Sequence, residues 1–536
     1  MVAEIFGDRR HAWAFWLGCL LVTAGVLLHL PMYWMGRNMG FHLAGMAMDA
    51  GMTWGMVLIV SGVGLAAFGL LPRVVADPGS VGVIAPPEDA PLTVAHWLMC
   101  GLLALALVID IMKPASLGFV VPGMRDEYGL SQAVVALLPF AALSGTVVGS
   151  FVWGWLADLY GRRASILLSS VMFVGTSICG AMPDFWWNVG MCFLMGAAAG
   201  GMLPVAYALL AEIMPTKHRG WALVLVGGIG AVGGYFAASS LSAWLQPDWG
   251  WRIMWFLNLP TGLMLIALSP FLPESARFLI HVGRGDAARA MLARYGSALR
   301  PVVVSPEVSS LHENHSHLPP VDRRYLGVTI ALTLAALACG LVNFGSLLWL
   351  PSALVAEGVS VQAASGLIAR SALIAAPTVL ISVWLYSAWS TRGALALMLG
   401  LTALGLFGLL LRGLGVEAPH SPVAPLPLLI VGSSGVISIL LPYTAENFPL
   451  RIRGRATGSI AGCSKLGGLL AQGLSVLAAA PPLAIVAGIV GVLSSGRWGS
   501  WGGKPGGATS GTLSEGALNT VWGGSENWVA CTLRIG

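Results

Sequence analysis

Charge is what this sequence has least of. Lys, Arg, Asp and Glu make up only 10% of its 536 residues, where a soluble globular chain carries about 25%. Hydrophobic residues reach 57%, and the mean hydropathy is +0.81. That imbalance excludes a soluble domain, because no single core hides so much apolar surface. No G-x-x-x-x-G-K-[ST] run occurs, so the chain carries no phosphate-cradling loop of that kind. A disulfide frame is not indicated: Cys19, Cys100, Cys179, Cys192, Cys339 and Cys463 lie singly in apolar segments and Cys531 lies in the tail. They read as small apolar side chains. Alternating segments of about 10 residues, the mark of a membrane β-barrel, are also missing.

What is present is a succession of apolar runs near the roughly 20 residues needed to cross a hydrocarbon core. Two span 12–30 and 51–71, six follow between 95 and 272, and six more lie between 326 and 495. This predicts an all-α polytopic membrane protein. Arg9 and Arg10 precede the first run, which lacks a small-residue cleavage site and reads as an uncleaved helix. With the N-terminus inside, Arg37, Arg125, Arg252 and Arg412 fall outside, Lys113, Arg370 and Lys465 fall within segments, and the remaining Lys and Arg fall inside. That bias follows the positive-inside rule. The net charge of +5 therefore belongs to inner loops, and no nucleic acid is implied.

The tract E-x-x-P-x-x-x-R-G occurs first from Glu212 to Gly220 and again from Glu446 to Gly454. Each copy separates two apolar stretches, the pattern of an internally duplicated membrane protein. The longest connection, 273–325, then divides two halves. The expected domains are a two-helix extension and loop (1–94), a six-helix half (95–272), the inner linker (273–325), a second six-helix half (326–495) and a Gly/Trp/Ser-rich tail (496–536). The tail reads as an altered reading frame or gene end, with a disordered tail as the alternative.

Gly154 to Arg163 reads G-W-L-A-D-L-Y-G-R-R and resembles the G-x-L-A-D-R-x-G-R-R loop of the major facilitator superfamily. The resemblance implies a core of twelve helices (6+6), here preceded by two extra N-terminal helices, and a conformational latch carried by Gly154, Asp158, Gly161, Arg162 and Arg163. At the matching place in the second half only Arg392 survives, with Ala388 where the acid would stand. Pro273 to Leu279, P-E-S-A-R-F-L, is similar to the P-E-S-P-R-W-L signature of sugar porters and related organic-ion carriers, departing at Ala276 and Phe278. Glu274 and Arg277, with Glu212, Arg219, Glu446 and Arg453, then look like an inner-surface charge relay that gates the pathway.

Intramembrane charges point to what is carried, since each costs at least about 2.5–3.5 kcal/mol at a helix centre. Asp110 and Lys113 share a helix face at i, i+3, and Pro114 frees the Asp110 carbonyl. Arg370 and Lys465 are further interior cations, so an excess of positive charge favours an organic anion. Asp110 is available for proton coupling. Within the resemblance, the fifth core helix has Ile229 to Gly234 where drug antiporters carry G-P-x-x-G-G, and the fourth has Met191 to Leu194 without the arginine of many proton-coupled relatives. An exporter or a non-transporting sensor remain the alternatives. Gly196, Gly200, Gly201, Gly227, Gly230 and Gly234 are expected to allow close helix packing.

The Met- and His-rich connection around His29, Met32, Met46 and Met52 reads as adaptable packing in preference to a copper site. His312, His315 and His317 read as a solvated loop. No cofactor, metal or catalytic residue is implied. The expected protein is a monomer in a bacterial inner membrane, both termini inside, moving a small organic solute by alternating access.

Overall fold

In lipid every backbone N–H and C=O must find its partner within the segment, so apolar runs of this length become helices. The computed structural model describes residues 9–71, 83–84, 91–296, 299–300, 326–413, 425–448 and 450–477. The linker histidines, the last expected apolar segment and the tail lie outside the described residues. Twelve described helical segments are long and apolar enough to cross a membrane, and each falls on an expected run. A hairpin comes first: α1 (Arg9–Leu27) and α2 (Ala50–Leu70). Then follow α3 (Val94–Tyr128), α4 (Leu137–Tyr160), α5 (Arg162–Gly175), α6 (Phe185–Ala199), α7 (Met202–Ile213), α8 (Thr216–Trp249) and α9 (Asn258–Leu268). After the linker come α10 (Leu326–Leu341), α11 (Leu348–Ala356), α12 (Val361–Ala375), α13 (Thr378–Trp384), α14 (Thr391–Gly413), α15 (Pro425–Asn447) and α16 (Leu450–Val476). The described strands are Val83–Ile84 and Leu299–Arg300, paired antiparallel.

Glycine sets how closely the helices approach. A Cβ at Gly18 would lie 2.6 Å from the Gly62 carbonyl oxygen, which brings α1 against α2. The hairpin also meets α5, where Gly175 faces Ile59. Met32 and Met52 are buried in its core, in line with the packing reading. Its connection is tied to α3 and to the turn after α8. The Leu43 and Ala44 N–H groups donate to Glu127 Oε1 at 2.6 and 2.9 Å, and Arg252 grips the same carboxylate through Nη2 at 2.6 Å and Nε at 3.2 Å. Both charged side chains are buried. Such a pair stays ionic only with its remaining lone pairs and protons satisfied; Trp251 Nε1 (2.8 Å) and the Met182 carbonyl (2.8 Å) do so.

Two interruptions position the site. Gly200 and Gly201 separate α6 from α7, and a π-helical turn, Val342–Leu347, joins α10 to α11. π-turns occur frequently at functional sites. The central helix α8 packs on α3 and also touches the other half, where Gly228 meets Val379 and Ser438.

Candidate functional site

Pro204 has no N–H to give the Gly200 carbonyl, so the helix is open at that oxygen. The freed carbonyl accepts from Ser150 Oγ at 2.8 Å and from Lys465 Nζ at 2.8 Å. Lys465 also donates to Ser150 Oγ. Lys465 stands on α16, whereas Ser150 and Gly200 belong to the α3–α9 half, so one ammonium spans the boundary between halves.

Asp110 lies beside this bridge. It is buried, its Oδ1 has no hydrogen-bond partner among the described residues, and the charges acting on it are those of Lys465 and Lys113. The expected Asp110–Lys113 patch is not a hydrogen-bonded pair. Lys113 Nζ instead sits 3.2 Å from the centroid of the Phe173 ring on α5, a cation–π contact inside its own half. Arg370 requires a larger correction: it is exposed. The α12 face turned to the core carries Ala364, Ser365, Ile368, Ser371 and Ala372, which leaves Arg370 off that face and outside the central group.

A cavity one helical turn along α3 from Asp110 is walled by Pro114, Thr146, Gly196 and Ala199 from one half and by Phe344 and Leu348 from the other. Asn343, in the π-turn, is buried with Oδ1 unpartnered among the described residues, and the Tyr235 hydroxyl donates to its backbone carbonyl at 3.1 Å. Sequence reading passed over Asn343, Tyr207 and the Glu127–Arg252 pair. The Gly200-Gly201-x-x-Pro204 spacing was the signal that could have located the break in the helix.

The expected latch residues gather at the motif-bearing end of the helices. Arg162 Nη2 pairs with Glu212 Oε1 at 3.0 Å, and Ser275 Oγ donates to Glu212 Oε2. Glu274 Oε1 accepts the backbone N–H groups of Arg162 (2.8 Å), Ser275 (2.9 Å) and Arg163 (3.4 Å). Burial pushes the Glu274 carboxyl up from its ordinary value, against those donors and the Arg163 charge. Gly161 turns at φ +99°, and a Cβ there would lie 2.6 Å from Glu274 Oε2. Gly154, expected in the turn, is instead inside α4 with nothing within 4 Å of an added Cβ. Arg219 is half-buried. In the second half Tyr386 donates to Glu446 Oε1, and both face Gly220 at the start of α8. The side chains of Asp158, Arg277 and Arg453 lie outside the described residues.

A family model described as Major Facilitator Superfamily matches residues 98–472, beginning after the hairpin. Curated relatives include the niacin transporter NiaP of Acinetobacter baylyi, 24% identical over 72% of this chain and 87% of that protein. The gallate transporter of Pseudomonas putida is 27% identical over 72% and 89%. The 4-hydroxybenzoate transporter PcaK of A. baylyi is 32% identical over 39% and 46%. A crystal structure of a D-xylose-proton symporter superposes with TM-score 0.59 at 17% identity, covering 75% of this chain and 97% of that one. That likeness carries the fold alone.

Proposed function

This chain belongs to the Major Facilitator Superfamily, and from that premise we propose that it is a secondary transporter of monocyclic aromatic carboxylates, working by alternating access. The observation that carries the reading is the Lys465 bridge. An ammonium reaches from one half to a freed carbonyl and a hydroxyl of the other, beside a buried carboxylate with an orphan oxygen. A substrate carboxylate accepts from Lys465 in place of the Gly200 carbonyl and so loosens the boundary, while Asp110 carries the coupled proton. Relatives that transport niacin, gallate and 4-hydroxybenzoate support this class, since all three are single rings bearing a carboxylate.

The relay of Arg162, Glu212, Glu274 and Ser275 is the inner gate, to which the repeated tract adds Arg219, and Tyr386 with Glu446 is its counterpart in the second half. In this reading residues 95–272 and 326–495 are the two moving halves joined by 273–325. The distribution of Lys and Arg supports inner termini and a bacterial inner membrane, and the path lies within one chain, as a monomer requires.

The test is uptake into proteoliposomes of nicotinate, benzoate, 4-hydroxybenzoate and xylose, with and without an inside-alkaline gradient. The aromatic acids should enter faster than into protein-free vesicles, the gradient should accelerate them, and Asp110→Asn should abolish the acceleration. Uptake of xylose alone, or of none of the four, contradicts the reading.

A further inference from the structure

We propose that Tyr207 is a specificity-determining residue that reads a polar ring substituent of the substrate, a hydroxyl above all, on the gate side of Asp110. Tyr207 stands on α7 and is 8% exposed, and its hydroxyl has no hydrogen-bond partner among the described residues. Leaving a buried hydroxyl unpaired is costly, a cost that a transient partner removes. The hydroxyl lies against α8 of its own half, close to α15 of the other. It reaches a notch that α8 opens by carrying Gly227: a Cβ there would lie 1.9 Å from Tyr207 Oη and 3.6 Å from the Cα of Ser438 on α15. Ser438 cannot answer it as a donor in this state, because its hydroxyl donates to the Ser434 carbonyl at 2.7 Å. Tyr207 therefore holds its hydroxyl against Gly227, near the boundary with the second half, in space that any larger residue at position 227 would take.

The position relative to the Lys465 bridge makes the notch a subsite. Along α8, Gly230 packs on Leu107 and Gly233 on Val108, so Asp110 lies near the Gly233 level. Six residues separate that level from Gly227, roughly 9 Å of helix rise. On the other wall Tyr207 stands in α7, between Gly200, the Lys465 acceptor, and Glu212 of the relay. A flat ring whose carboxylate is held by Lys465 thus turns its far edge towards Tyr207 when α15 moves away. The substrate class is an aromatic carboxylate with a hydrogen-bonding group distal to the carboxylate.

This rests on the aromatic-carboxylate reading, and the experiment separates the two. Initial uptake of benzoate and 4-hydroxybenzoate is measured in proteoliposomes of wild type and Tyr207→Phe, normalised to monodisperse protein. The expected result is a KM for 4-hydroxybenzoate raised about tenfold, the loss of one hydrogen bond, with benzoate within about twofold. If wild type carries both and the substitution shifts both equally, or neither, the subsite is overturned while the transport reading stands. If wild type carries neither, both fall. Gly227→Ala, which drives a methyl into Tyr207 Oη, should reproduce the loss for 4-hydroxybenzoate, and an unchanged KM there also counts against the subsite.

Discussion

Four intramembrane charges looked alike in the sequence, and their surroundings separate them. Lys465 is held across the boundary by a carbonyl and a hydroxyl, Asp110 lies beside it, Lys113 turns to the Phe173 ring, and Arg370 is exposed. Composition could find these charges because lipid makes each costly. It could not orient them, since a helix rotates by 100° per residue and the core-facing side of α12 carries the polar Ser365 and Ser371 while the apolar Leu373 and Ile374 are exposed. Arg370→Ala should therefore leave uptake and protein abundance within about twofold of wild type, as surface substitutions usually do. A loss of uptake at normal abundance would return Arg370 to the pathway. Tyr207 and Asn343 were invisible for another reason. A hydroxyl or amide is ordinary in a helix, and its importance lies in a missing partner, which only the folded chain reveals.

At the level of elements, the spans, the repeat and the latch motif were legible because helix length, charge placement and turn chemistry are local. The breaks were less so: Gly200, Gly201 and Pro204 each have ordinary roles alone, and together they free one carbonyl. The two glycines of the latch motif give a direct contrast. Gly161→Ala places a Cβ at φ +99° against the Glu274 carboxylate, and an alanine at positive φ costs about 1–2 kcal/mol, with the contact adding to it. Gly154→Ala meets open space inside a helix and gains about 0.5–1 kcal/mol. Thermal unfolding in detergent should show a lowered midpoint for the first and an unchanged or raised one for the second. Equal midpoints would remove the strained turn from the account. The hairpin connection is an element of the same kind. Its backbone N–H groups complete the shell of the buried Glu127–Arg252 pair, so α1 and α2 are built onto the α3–α9 half.

For the whole molecule, the two halves meet both near the middle of the helices and at the motif-bearing end. Phe344 and Leu348 approach Pro114 and Ala199 from the opposite half, and Tyr386 and Glu446 reach Gly220 at the motif-bearing end. In the proposed cycle Lys465 is the charged group that changes partners when the substrate carboxylate binds. The most direct measurement is equilibrium binding of nicotinate and its neutral amide, nicotinamide, to purified wild type and Lys465→Gln. The account predicts that wild type prefers nicotinate, and that the substitution weakens nicotinate by about 10- to 100-fold, the range of one hydrogen bond to a charged group, with nicotinamide little changed. Undiminished nicotinate affinity in folded Lys465→Gln would contradict it.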